Sequence, residues 1–433
     1  MPKAHLESFR RGMDMLDIRA IRERREELEA RLKTRDRSID LAPIVKLDEE
    51  RRRLIAEVEG LKAERNQGSQ EVGRRKKEGE DASDLLSHLA KVSDRIGELD
   101  AELRRLDQEI ERRLSLLPNL PHPSAPTGPE ENKVILREFG ERPEFDYPVK
   151  PHIEIGEEKG ILDFTRAAAM TGSRFPMYIG MGARLEMALI NFMFTHHARR
   201  GYTPVLPPFL ANEESFYVSS QLPKFADDIY RIERDGLYLN PTAESLLVNI
   251  HRGEIIPAEE LPKRYVAYTP CFRREAGSYG EEERGLIRVH QFNKVELFKF
   301  TTPEDSYDEL DSLIADAEGV LKELQIHYRV VLLTTEDMAQ QAAKTIDIEV
   351  YLPAQGRYYE VSSCSNCEDF QARRGNIRYR PDPKGKPRFV HTLNGSGVAT
   401  SRLMAAILEN NQTEDGRVLI PEVLQPMVEA VYI

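Results

Sequence analysis

From residue 85 the apolar side chains fall at Leu85, Leu89, Val92, Ile96, Leu99, Leu103, Leu106 and Ile110, alternating steps of four and three without a break. That spacing is the seam of a coiled coil, and it demands a long helix lying against another along its length. The partner is upstream. Leu47, Leu54, Val58 and Leu61 form a less regular stripe, and Glu78-Gly79-Glu80-Asp81 with Ser83 supplies a turn and helix-start signal between the two. One helix goes out and one returns, together covering about residues 40–116. At 1.5 Å per residue, about 30–35 residues per arm give a rod of roughly 50 Å. A rod of that length cannot belong to a compact core and is expected to project.

Arg74, Arg75, Lys76 and Lys77 cluster near the tip of this hairpin, with Lys91, Arg95, Arg104 and Arg105 on the returning arm. Charges of this kind flank the seams of coiled coils in general. The same stripe also suits a phosphate backbone, which it would position without reading sequence. Residue spacing alone does not choose between the two.

Pro118, Pro121, Pro123, Pro126 and Pro129 mark the clearest boundary in the chain. The expected division is 1–117, a proline-rich connector over 118–130, and a larger domain over 131–433. Residues 1–117 carry 27 basic and 27 acidic side chains and the rest carries 35 and 47, so the net charge of -12 sits wholly behind the boundary. An acidic total argues against indiscriminate nucleic-acid binding while permitting local basic stripes. Three cysteines make a disulfide framework unsuitable and fit a reducing, cytoplasmic setting. No apolar run approaches the roughly 20 residues that span a bilayer, so no membrane is expected. Residues 1–14 lack an apolar signal core and include Glu7 and Asp14.

The chemistry is concentrated in residues 271–298. They read as two strands, a run ending at Glu275 and another from Ile287 to Phe300, joined by a charged loop with turn signals at Gly277, Gly280 and Gly285. Period two puts Arg273 and Glu275 on one face of the first strand, and Arg288, Phe292 and Glu296 on one face of the second. Such a floor suits a nucleotide: arginine forks meet phosphate oxygens, a phenyl ring stacks on a base, and a carboxylate accepts from an amino group. A solvated, salt-bridged hairpin has the same charge pattern.

Four further stretches carry local signals. Residues 182–194 have helical periodicity through Leu185, Leu189, Ile190 and Met193, and lead into a strand over 201–208 that prolines end. A strand at Leu237-Tyr238-Leu239 precedes Pro241-Thr242-Ala243-Glu244, where Thr242 reads as the cap of a helix through Leu246, Leu247 and Ile250. Residues 359–367 contain Cys364 and Cys367 in a Cys-x-x-Cys, but tetrahedral zinc needs two more ligands and Cys271 is the sole other cysteine. Leu393-Asn394-Gly395-Ser396-Gly397 reads as a glycine-flanked loop opening a helix through Leu403, Ala406, Ile407 and Asn410, a way to aim backbone amides at an anion.

The run Phe272-Arg273-Arg274-Glu275-Ala276-Gly277-Ser278, with Arg284-Gly285-Leu286-Ile287-Arg288-Val289-His290-Gln291-Phe292, resembles motif 2 of the class II aminoacyl-tRNA synthetases and, in this form, the seryl-tRNA synthetases. The likeness extends from about Met15 to the end. Residues 182–208 resemble motif 1, with Pro208 at its signature position, and residues 393–402 resemble motif 3. The fold implied is α+β, an antiparallel helical hairpin followed by a mainly antiparallel β-sheet flanked by helices.

The resemblance implies a reaction and its residues. Serine and ATP give seryl-adenylate, and the seryl group then passes to the 3′ end of tRNA(Ser), and of tRNA(Sec) as the family generally allows. The arm grips the long variable arm of the tRNA, and motif 1 builds a homodimer. Arg273 is assigned to the α-phosphate, Glu275 to the adenine amino group, Phe292 to the base and Arg288 to the outer phosphates. Arg274 and the backbone around Val289 belong to the same nucleotide site. Thr242, Ala243 and Glu244 close over serine, Glu296 receives its ammonium or hydroxyl, and Asn394 and Ser396 contact it. Glu360 and Ser363 hold the Mg2+ that comes with ATP, on a strand that includes Val361 and Ser362. Arg402 clamps the γ-phosphate. Arg273, Arg402 and Glu275 are the implied catalytic set. Asn240, Thr400 and Ser401 depart from common family residues. A carrier-protein ligase of the same class would lack the helical arm, and a non-catalytic RNA-binding paralogue would be expected to lose Arg273, Glu275, Glu296 or Arg402.

Overall fold

The computed structural model describes residues 17–276 and 285–433. They form two compact units, 17–117 and 118–433. Residues 1–14 and the turn glycines Gly277 and Gly280 lie outside the described residues.

In the first unit, helix α1 (Ala42–Glu78) runs for 37 residues and α2 (Ser83–Leu116) for 34. Gly79 ends α1 with φ 74°, a left-handed conformation that glycine adopts without strain, and the Glu80 amide donates back to the Arg75 carbonyl. Leu54, Val58, Val92, Ile96 and Leu99 pack into a single apolar seam, so the heptad stripe does what its spacing requires. Gly68 lets the arms close near the tip, since a Cβ there would stand 2.6 Å from Leu89 Cδ2. Arg74 pairs with Glu71, Glu78 and Glu80, Arg75 with Glu71 and Asp84, and Arg95 bridges Glu57 and Glu98. Lys76, Lys77, Lys91, Arg104 and Arg105 are exposed.

The second unit is built on an eight-stranded sheet: β1 (Val134–Phe139), β2 (Thr203–Val205), β3 (Lys263–Phe272), β4 (Gln291–Thr301), β5 (Tyr328–Leu332), β6 (Lys344–Leu352), β7 (Arg357–Asn366) and β8 (His391–Ala399). Its order is β1-β5-β6-β7-β8-β4-β3-β2, antiparallel except at the β2–β3 edge. Helices α3 (Met181–Arg199), α4 (Ser306–Glu323) and α5 (Thr400–Asn410) bury Leu189, Met193, Leu313, Ala317, Leu403 and Ile407 in one core with Val295, Leu297 and Leu393. That covers the odd-numbered face of β4. The even-numbered face carries Phe292, Lys294 and Glu296, and register places Asn394 and Ser396 of β8, Ser363 and Ser365 of β7, and Asp347 of β6 on the same side. Here the sheet has a polar floor.

Three local expectations change. The strands of the 271–298 hairpin are β3 and β4, so Arg273, Glu275 and Arg288 lie beyond their ends. The last rung runs from the Arg273 amide to the His290 carbonyl; then Glu275 turns left-handed (φ 51°), and Asp228 accepts the amides of Arg274 and Ala276. Secondly, the stretch expected as a glycine-flanked loop is the middle of β8. Its glycines are there for close packing: a Cβ at Gly395 would meet Leu313 Cδ2 at 2.3 Å and one at Gly397 would meet His197 Nε2 at 2.7 Å. Thirdly, the helix after Thr242 is a single turn, Glu244–Leu247; Ala243 at its N-cap position makes no side-chain cap, and Thr242 Oγ1 accepts the Glu244 amide at 3.4 Å. The proline-rich connector is held against the rest of the second unit: the Asn119 and His122 amides donate to the Gln340 and Ala343 carbonyls and Ala125 is buried. Among the described residues no helix is long and apolar enough to cross a membrane.

Candidate active site

The polar floor gathers the residues named from sequence. Arg273 extends over the face of Phe292, 5.2 Å from the ring centroid, and its Nε donates to the Pro241 carbonyl at 3.3 Å. Arg288 Nη1 meets Glu275 Oε2 at 2.8 Å, so the two residues beyond the strand ends are still brought together. Arg402, in the first turn of α5, donates from Nη1 to the Glu360 carbonyl at 2.6 Å and to its carboxylate at 3.2 Å; its Nε reaches the Ile287 carbonyl at 3.1 Å. Three separated stretches therefore converge. Arg274 is the exception: one residue on from Arg273 it faces the other way, over the Tyr230 ring and onto the Ile229 carbonyl.

Period two would put Glu360 and Ser363 on opposite faces of β7. They share one because a β-bulge intervenes: Ser363 pairs with Asp347 and Ser362 with Ile348, but Glu360 pairs with Glu349, leaving Val361 as the extra residue. Val361 and Val289 are buried and the Ser362 hydroxyl donates to the Ser396 carbonyl, so these three can offer a ligand only backbone groups. Behind Ser363, Asp347 is buried and accepts a hydrogen bond from that serine; burial first, and then the Glu360 charge, hold its carboxyl well above the usual range. Among the described residues its Oδ1 has no hydrogen-bond partner.

A few residues along the floor is a second, buried polar cluster. Glu244 Oε1 accepts three amide donors, Gln371 Nε2 at 2.7 Å, Asn394 Nδ2 at 2.8 Å and Gln341 Nε2 at 3.0 Å. Burial, seconded by the Glu296 charge, pushes the Glu244 carboxyl up to about 7 despite those donors. Thr242 Oγ1 donates to Glu296 Oε2 at 3.2 Å, and Lys294 Nζ meets the same oxygen at 2.5 Å. Lys294 was not singled out from sequence, although it sits between Phe292 and Glu296 in the same alternation. Gln341 and Asp347 carry no local signal. Cys271, Cys364 and Cys367 are buried free thiols, and burial pushes Cys364 up to about 12. They behave as small apolar side chains.

Residues 230–411 match the family model of the tRNA synthetase class II core domain (G, H, P, S and T), and residues 15–121 match that of the seryl-tRNA synthetase N-terminal domain. The serine–tRNA ligase of Syntrophobacter fumaroxidans is 52% identical over 95% of this chain and 98% of its own length, and that of Geobacter sulfurreducens 53% identical over the same shares. Among solved structures, seryl-tRNA synthetase from Pyrococcus horikoshii complexed with ATP superposes with a TM-score of 0.91 at 41% identity, over 96% of this chain and 99% of that one. A mainly antiparallel sheet with motif 2 as one of its hairpins and motif 3 as the strand and helix beside it defines a class II aminoacyl-tRNA synthetase. With the helical hairpin in front and identity of this extent behind it, the chain belongs to the seryl-tRNA synthetase family. Its reaction is the ATP-dependent ligation of serine to tRNA.

Proposed function

We propose that the polar floor divides into a triphosphate half and a serine half, with named side chains in each. Arg273 neutralises the α-phosphate, a role supported by its place over Phe292, where the adenine stacks. Glu275 accepts from the adenine amino group, and Arg288 and Arg402 hold the outer phosphates. In the other half Glu296 and Thr242 meet the serine ammonium or hydroxyl, while Glu244, Asn394 and Ser396 close the pocket. A site built around a hydroxyl rejects alanine because alanine leaves its polar groups unpaired.

Serine's carboxylate attacks the α-phosphorus in line, pyrophosphate leaves, and the terminal ribose hydroxyl of the tRNA then takes the seryl group from the adenylate. No side chain has to act as a covalent nucleophile; the protein orients the reactants and neutralises developing charge. Glu360 and Ser363 fit Mg2+, since they offer hard oxygen donors on one face and the buried Asp347 oxygen behind them has no other partner among the described residues. The ion would supply charge neutralisation on the phosphates. The helical hairpin carries exposed Lys76, Lys77, Lys91, Arg104 and Arg105, which suit the backbone of a tRNA long variable arm, that of tRNA(Ser) and also tRNA(Sec). Helix α3 and Pro208 form the homodimer contact, and the setting is cytoplasmic.

The observation that carries this reading is the convergence of the Arg402–Glu360, Arg288–Glu275 and Thr242–Glu296 contacts on one side of one sheet. Deleting residues 47–114 tests the division of labour. Serine-dependent ATP–pyrophosphate exchange should persist and charging of tRNA(Ser) and tRNA(Sec) should vanish; loss of both activities together would contradict it.

A further inference from the structure

His152 and Glu409 form a buried pair that the reaction as described does not use; both side chains have 0% exposure. The imidazole Nδ1 lies 2.7 Å from Glu409 Oε1, and Nε2 accepts the Leu286 amide at 3.1 Å. Because an amide can only donate, Nε2 must be bare and the ring proton must sit on Nδ1, donated to the carboxylate. Glu409 is itself fixed, accepting the His152 amide on Oε1 and the Ala354 amide on Oε2, each at 3.1 Å. Gly285 makes the approach possible: a Cβ there would stand 2.4 Å from His152 Nε2, and its φ is 70°.

The partners of this pair are telling. Leu286 and Ile287 lie immediately before Arg288, and Glu409 lies seven residues after Arg402. Seven residues are nearly two helical turns, so Arg402 and Glu409 share a face of α5. That face therefore grips one short segment at two points: Arg402 directly, at the Ile287 carbonyl, and Glu409 through the ring of His152, at the Leu286 amide. We infer that His152, fixed by Glu409 as the neutral Nδ1–H tautomer, is a positioning residue for ATP that sets Arg288 and Arg402 at a constant separation. A packing role alone would not need a defined tautomer. The inference rests on reading Arg288 and Arg402 as phosphate ligands.

Two near-isosteric variants separate the two ends of the relay. His152→Asn keeps a donor near the Nδ1 position and loses the acceptor for Leu286; His152→Gln keeps an acceptor near the Nε2 position. Losing the acceptor leaves a buried amide unpaired, so His152→Asn should raise the KM for ATP in pyrophosphate exchange by ~10-fold with the KM for serine changed less than ~2-fold. Amide exchange at Leu286 should quicken in the same variant, and His152→Gln should restore both. Equal rises in the two KM values for both variants, or a His152→Asn enzyme indistinguishable from wild type, would overturn the inference. If neither variant folds, the 15N shifts of the His152 ring in the wild-type enzyme decide: the neutral Nδ1–H form supports the relay, and an Nε2–H tautomer or an imidazolium at neutral pH overturns it. Arg402→Ala is the control. If it leaves the KM for ATP unchanged, the phosphate assignment fails; if it raises that KM while His152→Asn does not, only the relay fails.

Discussion

The Arg402 guanidinium holds both the backbone and the side chain of Glu360, donating to its carbonyl at 2.6 Å and its carboxylate at 3.2 Å. On the proposed assignment, the side chain that clamps the γ-phosphate and the carboxylate that would hold the metal are thus each other's partners. Arg402→Ala should slow adenylation by about 100-fold or more, as loss of a donor aimed at developing charge does. Glu360→Gln should shift the Mg2+ dependence of exchange to higher concentration. A Glu360→Gln enzyme with an unaltered Mg2+ requirement would remove that residue from the metal site.

Glu244 gives the proposed serine half of the floor a pH signature. Its carboxyl is pushed from 4.5 to about 7, chiefly by burial. Below pH 4.5 the group is protonated in both folded and unfolded chains. Between there and about 7 the unfolded chain loses a proton that the folded chain keeps, so the residue's contribution to stability falls as pH rises and levels off above that range. Glu244→Gln should therefore gain thermal stability relative to wild type as pH is raised from about 5 to about 7.5. A Tm difference that stays constant over this window would mean that Glu244 is ionised throughout.

Lys294 and Glu296 form an ion pair with side chains 8% and 2% exposed. Removing one member of such a pair leaves the other charge buried and uncompensated, so Lys294→Met should destabilise by about 3–5 kcal/mol. Adding Glu296→Gln should recover most of that, which a double-mutant cycle in urea would show. Additive losses would mean that the two groups act independently.

Much of this was legible in the residues, and the parts that were not have physical reasons. The heptad run beginning at Leu85 needed only its own spacing, because a seam is a local property of one helix. Phe292 and Glu296 likewise followed from alternation along β4. Alternation failed for Glu360 and Ser363, which share a face through a bulge that pairing with β6 creates and that no spacing within β7 reveals. It failed again at Glu275, where the Asp228 segment draws the chain out of the ladder. Gly395 and Gly397 looked like a loop because their reason for being glycine lies in Leu313 and His197, far away in sequence. Arg274 was drawn in by its neighbours in the motif and turns out to face Tyr230. Gln341 and Gln371 reach Glu244 from 97 and 127 residues away, a distance across which periodicity carries no signal.

On the proposed function, this sheet face joins serine to the α-phosphate of ATP, with Arg273 neutralising the charge that develops there. Serine-dependent ATP–pyrophosphate exchange, measured on the wild-type chain and on Arg273→Ala with folding checked by circular dichroism, tests it most directly. The account requires exchange that depends on serine and is not supported by alanine, with a loss of about 100-fold or more in the variant. Exchange without serine, or a change below about tenfold in a folded Arg273→Ala enzyme, would contradict it.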